Sequence, residues 1–329
     1  MDAMPDNEEL EQVAAPVPAD ASVLLSQIEP QPIQHLDPVT PLQVQPRGIA
    51  PIWHTLILIL GILAFSIWGS VRSDSGAINP FAPVQNVAHS TDKQVDSIRL
   101  IRYALTGVLE LLVVAWIALG LRLRKIPFRS LFGKLPRGLN DITMEAGIAL
   151  AFWICSMIIL VTIALSWGLI QTQIYKHQTA SQSSAPSNSK SAPVKSPQEQ
   201  QAEMARQLMQ LAPANAIEIA SWGLLCLIVG FSEELIFRGY LQSQGIALLR
   251  SVPVALILTA LIFGAAHGYQ GLRGIVLISV YGALFGIITL LRKNLFPGML
   301  AHAWHDFATG MLLAFIRSTH LLEHLPKSS

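Results

Sequence analysis

Charge is what this sequence lacks most. Only 13% of its 329 residues are Asp, Glu, Lys or Arg, whereas 52% are hydrophobic, and a soluble domain usually carries roughly 25% charged residues. A lipid environment explains this deficit, because a charged side chain in the hydrocarbon core of a bilayer is costly. The formal net charge of +1 gives no electrostatic basis for binding nucleic acid, so we expect no nucleic-acid partner.

Cysteine is also scarce, and the N-terminal segment is poor in aromatic residues. Cys155 and Cys226 each lie in an apolar run, so the sequence offers neither a disulfide framework nor a cysteine-based zinc site. Residues 1–50 are rich in Pro and Gln. Such a segment buries too little apolar surface to offset its ordering entropy, which predicts a disordered N-terminal tail.

Long apolar runs fill most of the remaining sequence. A spanning helix needs about 20 mostly apolar residues, and the runs predict an all-α, polytopic transmembrane helix bundle of about seven spans, with a range of six to eight. Glu110 is the only charged residue in the second span. The predicted spans are residues 53–71, 104–121, 144–170, 216–231, 253–267, 274–291 and 295–316.

The composition also divides the chain into regions. A Ser/Pro/Gln-rich stretch, residues 171–212, predicts a flexible loop between a three-span region, residues 51–170, and a C-terminal helical core, residues 213–318, with a tail at 319–329. Basic residues crowd the short loop after the second span, which predicts that this loop and the N-terminus are cytoplasmic. These residues are Arg122, Arg124, Lys125, Arg129, Lys134 and Arg137.

The fourth span runs into the first segment that carries candidate chemistry, FSEELIFRGYLQ. Glu234 and Arg238 are four residues apart and share one helix face, so they are expected to pair. Glu233 is rotated from Glu234 by about 100°, which leaves it free to act as a base. Apolar positions keep helical spacing beyond Arg238, so we expect the fourth helix to continue. The alternative is a helix end whose charged side chains reach the membrane interface.

Two histidine-containing segments follow. The fifth span ends in FGAAH, with Phe263 four residues before His267; a single His at the end of a span is more often a hydrogen-bonded interface residue than a catalyst. The seventh span contains HAWHD, with His302, His305 and Asp306. Ionisable groups inside an apolar helix are rare and indicate function. The alternative is a His–Asp hydrogen bond that joins two helices.

Together, these three segments supply the groups that hydrolysis of an amide requires. A helix bundle can bring Glu233, His267 and His302 to one interior cavity, with Asp306 behind them. A base, a metal or oxyanion site and an orienting acid are the parts needed for attack by water on a peptide bond.

The three motifs resemble those of the CPBP intramembrane proteases, the family of CAAX prenyl endopeptidases and bacteriocin-processing enzymes. The family pattern is E-E-x-x-x-R, then F-x-x-x-H, then H-x-x-x-N or D. This sequence has EELIFR at 233–238, FGAAH at 263–267 and HAWHD at 302–306, in the same order. The resemblance covers about residues 215–310 and does not extend to the first three spans.

The resemblance implies a multi-pass membrane peptidase that acts on a peptide or protein substrate at the lipid bilayer. It implies that Glu233 is the general base, that His267 helps to activate the water, and that His302 and Asp306 stabilise the oxyanion. It leaves two chemistries open: a divalent metal, zinc, held by Glu233, His267 and His302, or a metal-free glutamate mechanism. The residues with a supporting role would be Glu234, Arg238, Phe263 and His305.

Asp306 departs from the more common family residue, Asn. An amide can donate a hydrogen bond to an oxyanion, whereas an ionised carboxylate cannot. Asp306 would therefore be protonated, orient His302 or bind a metal.

Two other classes of function stay open. Intramembrane Glu, His and Asp residues also suit an ion-coupled transporter, although the hydropathy pattern shows no internal repeat and no matched pair of broken helices. A non-catalytic membrane scaffold of the same fold would keep the helices and recruit partners through its tail and loops.

Overall fold

The computed structural model describes residues 48–75, 92–183 and 196–319. Nearly all of these residues are helical, and within these ranges the only β-type pairing is an isolated bridge between Gly133 and Asn294. The all-α fold predicted from the apolar runs is confirmed. The predicted tails fall outside the described residues, apart from residues 48–50 and Thr319.

The described ranges form eight helices, and each predicted span lies in one of them to within a residue at its ends. The additional helix, α4, lies between the third and fourth spans. The helices are α1 (Ile52–Ser75), α2 (Asp92–Leu123), α3 (Leu139–Ser183), α4 (Pro197–Met209), α5 (Ala216–Leu249), α6 (Val252–Ala266), α7 (Gly271–Arg292) and α8 (Phe296–Ser318).

Five of these helices, α1, α2, α3, α5 and α7, are long and apolar enough to cross a membrane, and α6 is a shorter apolar helix. Their outward side chains are apolar: Leu165 and Leu169 of α3 are 66% and 71% exposed. A soluble protein rarely exposes apolar surface on this scale. The chain is therefore an integral membrane protein whose helices face lipid.

The fourth span belongs to a helix much longer than the apolar run itself. Helix α5 extends over 34 residues, with a π-helical segment, Glu234–Gln242, between two α-helical parts. The prediction that this helix continues beyond Arg238 is confirmed. As a result, Glu233 lies in the middle of α5 rather than at its end, at the same level as His302 of α8.

The predicted flexible loop at residues 171–212 is wrong at both ends. Helix α3 continues to Ser183, because residues 171–183 contain neither Gly nor Pro to stop it. Helix α4 begins at a reciprocal capping box: the Ser196 N–H donates to Glu199 Oε2 at 2.8 Å, and the Glu199 N–H donates to Ser196 Oγ at 3.2 Å. Residues 184–195 lie outside the described residues.

The end of the predicted N-terminal tail also differs from the prediction. Residues 48–50 pack against α5, where the Gln244 side-chain amide hydrogen-bonds the backbone of Ala50 twice. The Ala50 N–H donates to Gln244 Oε1 at 3.1 Å, and Gln244 Nε2 donates to the Ala50 carbonyl at 2.9 Å. A buried amide side chain replaces the backbone partners that this short segment would otherwise lack.

Helices α5 and α8 approach closely at Gly230. A Cβ atom at this position would lie 2.7 Å from the Ala303 nitrogen and 2.9 Å from the Met299 carbonyl oxygen. Only glycine lets the two backbones meet at this distance. One turn later in α5, Glu233 consequently lies beside His302 of α8.

We expect Gly230→Ala to lower the Tm of the purified protein, because the added methyl group overpacks the α5–α8 contact at a cost of about 1–3 kcal/mol. The matched control is Gly147→Ala in α3, where a Cβ would meet nothing within 4 Å. This control should leave the Tm unchanged or raise it, since Ala is the better helix former. Equal Tm values for the two variants would contradict the close approach.

Candidate active site

Glu234 is a fully buried carboxylate shared by two helices. Arg238 Nη1 donates to Glu234 Oε1 at 2.9 Å, and His302 Nδ1 lies 3.0 Å from the same oxygen. The side chains of Glu234 and Arg238 are 0% and 1% exposed. The pairing expected from their spacing is present, and the contact with His302 joins α5 to α8.

Arg238 fixes this carboxylate relative to two further helices. Its Nη2 donates to the Gly282 carbonyl oxygen of α7 at 3.2 Å. Its guanidinium carbon lies 4.3 Å from the ring centroid of Phe263 and 5.0 Å from that of Phe285. Aromatic faces attract a desolvated cation, so α6 and α7 both hold the arginine that neutralises Glu234.

His302 lies between the two adjacent glutamates. Because Glu234 accepts a hydrogen bond from Nδ1–H, the ring is fixed in one orientation. Its other nitrogen, Nε2, is 3.5 Å from Glu233 Oε2 and 3.8 Å from Asp306 Oδ2. These distances exceed those of well-formed hydrogen bonds, so Nε2 faces both carboxylates without a close protein partner.

Glu233 differs from Glu234 in having no donor of its own. Its Oε2 atom is buried and has no hydrogen-bond partner among the described residues, and its side chain is 14% exposed. A buried acceptor without a donor is costly. The groups that can satisfy it are those that enter with the reaction, namely water and substrate.

His267 is placed by the end of α6. Its Nδ1–H donates to the Phe263 carbonyl oxygen at 2.9 Å, which leaves Nε2 as the atom with a free lone pair. Helix α1 holds this turn, because Ser66 Oγ accepts from the Gly268 N–H at 3.1 Å and donates to the Ala265 carbonyl at 2.6 Å. A lone histidine at a span end thus has a defined tautomer and a fixed position.

The three motifs converge on His302. Its Nε2 atom faces Glu233 of the first motif, and its ring contacts Phe263, whose carbonyl oxygen holds His267 of the second motif. Asp306, 3.8 Å from the same nitrogen, has a side chain that is 29% exposed, against 7% for His302, so Asp306 is the more accessible of the two. The structure therefore brings together the residues that the sequence singled out from three separate helices.

His305 and Phe263 pack around this cluster. His305 Nδ1 accepts a hydrogen bond from Trp153 Nε1 of α3 at 3.3 Å, and its ring centroid lies 5.1 Å from that of Tyr281. Phe263 stacks edge-on to His302 with 6.2 Å between centroids. These contacts connect the helices around the acidic and basic groups.

Among the described residues, no group of three His, Cys, Asp or Glu side chains is arranged to hold a metal ion, whereas a protein zinc site supplies at least three ligands. Binding of a divalent metal by Glu233, His267 and His302 stays a prediction from the resemblance.

Sequence reasoning missed two contacts. Glu234 has a second partner, His302, which is 68 positions away in the sequence. Helical spacing identifies only the local partner, Arg238, so it does not indicate this contact. Phe285 of α7, whose ring lies 5.3 Å from that of His302, carries no signal beyond its place in an apolar run.

Residues 215–308 match the type II CAAX prenyl endopeptidase Rce1-like family model. This region begins at Asn215, the N-cap of α5, and ends in α8, so it contains all three motifs. The match confirms the resemblance that the motifs indicate and supports a protease-like function. Comparison with curated proteins and with solved structures gave no match.

We expect Arg238→Ala to destabilise the protein strongly, since it leaves Glu234 as a buried charge without a cation, at a cost of about 3–5 kcal/mol. The control is Arg292→Ala, which breaks the pair with Glu145. The Arg292 side chain is 32% exposed, so solvent screens this pair, and Asn294 still donates to Glu145. Thermal unfolding in detergent should show the larger Tm loss for Arg238→Ala. A stable but inactive Arg238→Ala protein would instead assign Arg238 to substrate binding.

Proposed function

We propose that this protein is an intramembrane endopeptidase, CAAX-protease-like, that cleaves a peptide or protein at the membrane with a water activated by Glu233. One observation carries the proposal. Of two neighbouring carboxylates that face the same histidine, Glu234 pairs with Arg238 at 2.9 Å, whereas Glu233 has a buried oxygen with no donor and no arginine or lysine partner among the described residues. The family match over residues 215–308 supports it.

The first step is removal of a proton from water. Glu233 accepts the proton, and the lone pair of His267 Nε2 accepts a hydrogen bond that orients the same water. The water oxygen then attacks the carbonyl carbon of the scissile peptide. The carbonyl π electrons move to oxygen and give a tetrahedral oxyanion.

The second part of the mechanism is stabilisation and collapse of this oxyanion. His302, whose Nδ1–H is held by Glu234, donates from protonated Nε2, and protonated Asp306 donates from its carboxyl group. Glu233 passes its proton to the leaving nitrogen as the C–N bond breaks. This transfer regenerates the Glu233 carboxylate.

We also propose that the basic loop after α2 faces the cytoplasm. Arg122, Arg124 and Lys125 of this loop are exposed, and short cytoplasmic loops carry an excess of Lys and Arg. The bridge between Gly133 and Asn294 brings the α7–α8 turn to the same side. With this orientation the N-terminus is cytoplasmic.

Glu233→Gln should abolish cleavage while the protein still inserts and folds. The amide keeps the size of the side chain but cannot take a proton from water, and a general base contributes about 10²–10⁴-fold. The assay uses purified protein in liposomes with a farnesylated CAAX peptide and with an unlipidated membrane peptide, each with and without chelator. Loss of cleavage with chelator alone would favour the metal-dependent chemistry.

The control for Glu233→Gln is Glu199→Gln in the α4 capping box, because Gln also serves at this position of the box. This variant should cleave like the parent. Near-parental turnover by Glu233→Gln would remove Glu233 from the mechanism, and proton-coupled ion uptake by protein that cleaves neither peptide would favour the transporter class.

Asp306→Asn distinguishes the two roles of the last motif residue. If protonated Asp306 donates to the oxyanion, Asn also donates, so we expect kcat/KM within a few-fold of the parent. If Asp306 acts as a carboxylate that orients His302 or binds a cation, activity should fall, by about 10–100-fold for a group that supports a metal ligand. A tenfold or greater loss in kcat/KM, with parallel loss of bound metal, would contradict the donor role.

A further inference from the structure

Helix α2 brings one more carboxylate to the site from outside the region that the family model matches. Glu110 is the only charged residue in the apolar run 104–121. Its Oε2 atom is buried and has no hydrogen-bond partner among the described residues. A charged group in this position requires an explanation, since the bilayer penalises it.

Packing of α2 on α5 determines which way the Glu110 side chain points. The two helices run parallel, and each turn of α2 contacts the corresponding turn of α5. Arg99 Nε donates to Glu218 Oε2 at 2.8 Å, and one turn later the rings of Tyr103 and Trp222 pack edge to face with 5.3 Å between centroids.

The next turn of α2 continues this contact with α5 in the direction of Glu233. A Cβ at Gly107 would lie 3.5 Å from Ile228 Cδ1, so Gly107 also faces α5. Glu110 is three residues further and shares this face. On α5, Glu233 is five residues beyond Ile228, so along the parallel helices Glu110 and Glu233 are about one turn or less apart.

Other glutamates in the described bundle show what a purely structural carboxylate looks like here. Three of them have an arginine partner within 2.6–2.9 Å, and the pairs are Glu218–Arg99, Glu234–Arg238 and Glu145–Arg292. Glu110 and Glu233 have no such partner among the described residues. Both have a buried Oε2 atom without a donor. Glu218 and Glu234 each have one such oxygen as well, but an arginine pairs with their other oxygen, so the missing arginine is what sets Glu110 and Glu233 apart as a functional pair.

We propose that Glu110 is a positioning residue that holds the reacting water together with Glu233. This inference rests on the proposed peptidase function. A water molecule has two O–H groups: Glu233 accepts the one whose proton is transferred, and His267 Nε2 and Glu110 share the one that stays on the oxygen in a three-centre hydrogen bond. The water oxygen then presents a lone pair to the substrate carbonyl carbon. Glu110 takes no proton, and the O–H bond that breaks is the one directed at Glu233.

The inference is tested with Glu110→Ala and Glu110→Gln. We expect Glu110→Ala to lower kcat by about 10²-fold, the typical effect of a misplaced reacting group, with KM within about twofold of the parent. Glu110→Gln keeps an oxygen acceptor and should recover at least tenfold of the roughly 10²-fold loss. The control is Val108→Ala on the exposed face of α2, which should leave kcat unchanged.

Stability separates positioning from a structural role. Removing a buried carboxylate without a partner should leave the Tm of Glu110→Ala equal to or above that of the parent, even as kcat falls. A parallel fall of Tm and kcat would overturn the inference, as would a Glu110→Gln variant no more active than Glu110→Ala.

The same assay includes the parent and Glu233→Gln, so that two kinds of failure are distinguishable. If the parent cleaves, Glu233→Gln does not, and Glu110→Ala keeps the parental kcat, only the role of Glu110 is refuted. If the parent cleaves neither peptide, the proposed function fails, and the role of Glu110 falls with it.

Discussion

The site depends on one buried oxygen, Glu234 Oε1, which accepts from Arg238 of its own helix and from His302 of α8. Burial of an ion pair is favourable only when the geometry is good and the remaining donors are satisfied. Arg238 meets this condition through the Gly282 carbonyl oxygen and two aromatic faces. The carboxylate therefore fixes α5 against α6, α7 and α8 at the level where the chemistry is expected.

This constraint also makes two adjacent glutamates inequivalent. The π-helical segment begins at Glu234, immediately after Glu233, and π segments inside helices frequently occur at functional sites. Although the two side chains leave the helix in different directions, both reach His302, because an imidazole presents its two nitrogens on opposite sides. Glu234 orients one nitrogen, and Glu233 faces the other across 3.5 Å.

Local patterns in the sequence predict the apolar spanning helices, the Glu234–Arg238 pair and the candidate residues of the site, but not α4. Apolar length and i, i+4 spacing are local properties, so they can be read without the fold. Polar composition alone does not end a helix: α3 extends to Ser183, because residues 171–183 contain no Gly or Pro. The contact of Glu234 with His302 could not be predicted either, since it depends on how distant helices pack.

The region outside the family match is part of the site's construction rather than only a membrane anchor. Ser66 of α1 holds the turn that carries His267. His54 of α1 is fully buried and lies 2.9 Å from the Tyr240 hydroxyl, which supports the π segment from the other side. Because α1 contacts both the π segment and the turn that follows α6, and α2 packs along α5, the geometry at Glu233 is a property of the whole described bundle. Residues 215–308 alone would lack these contacts.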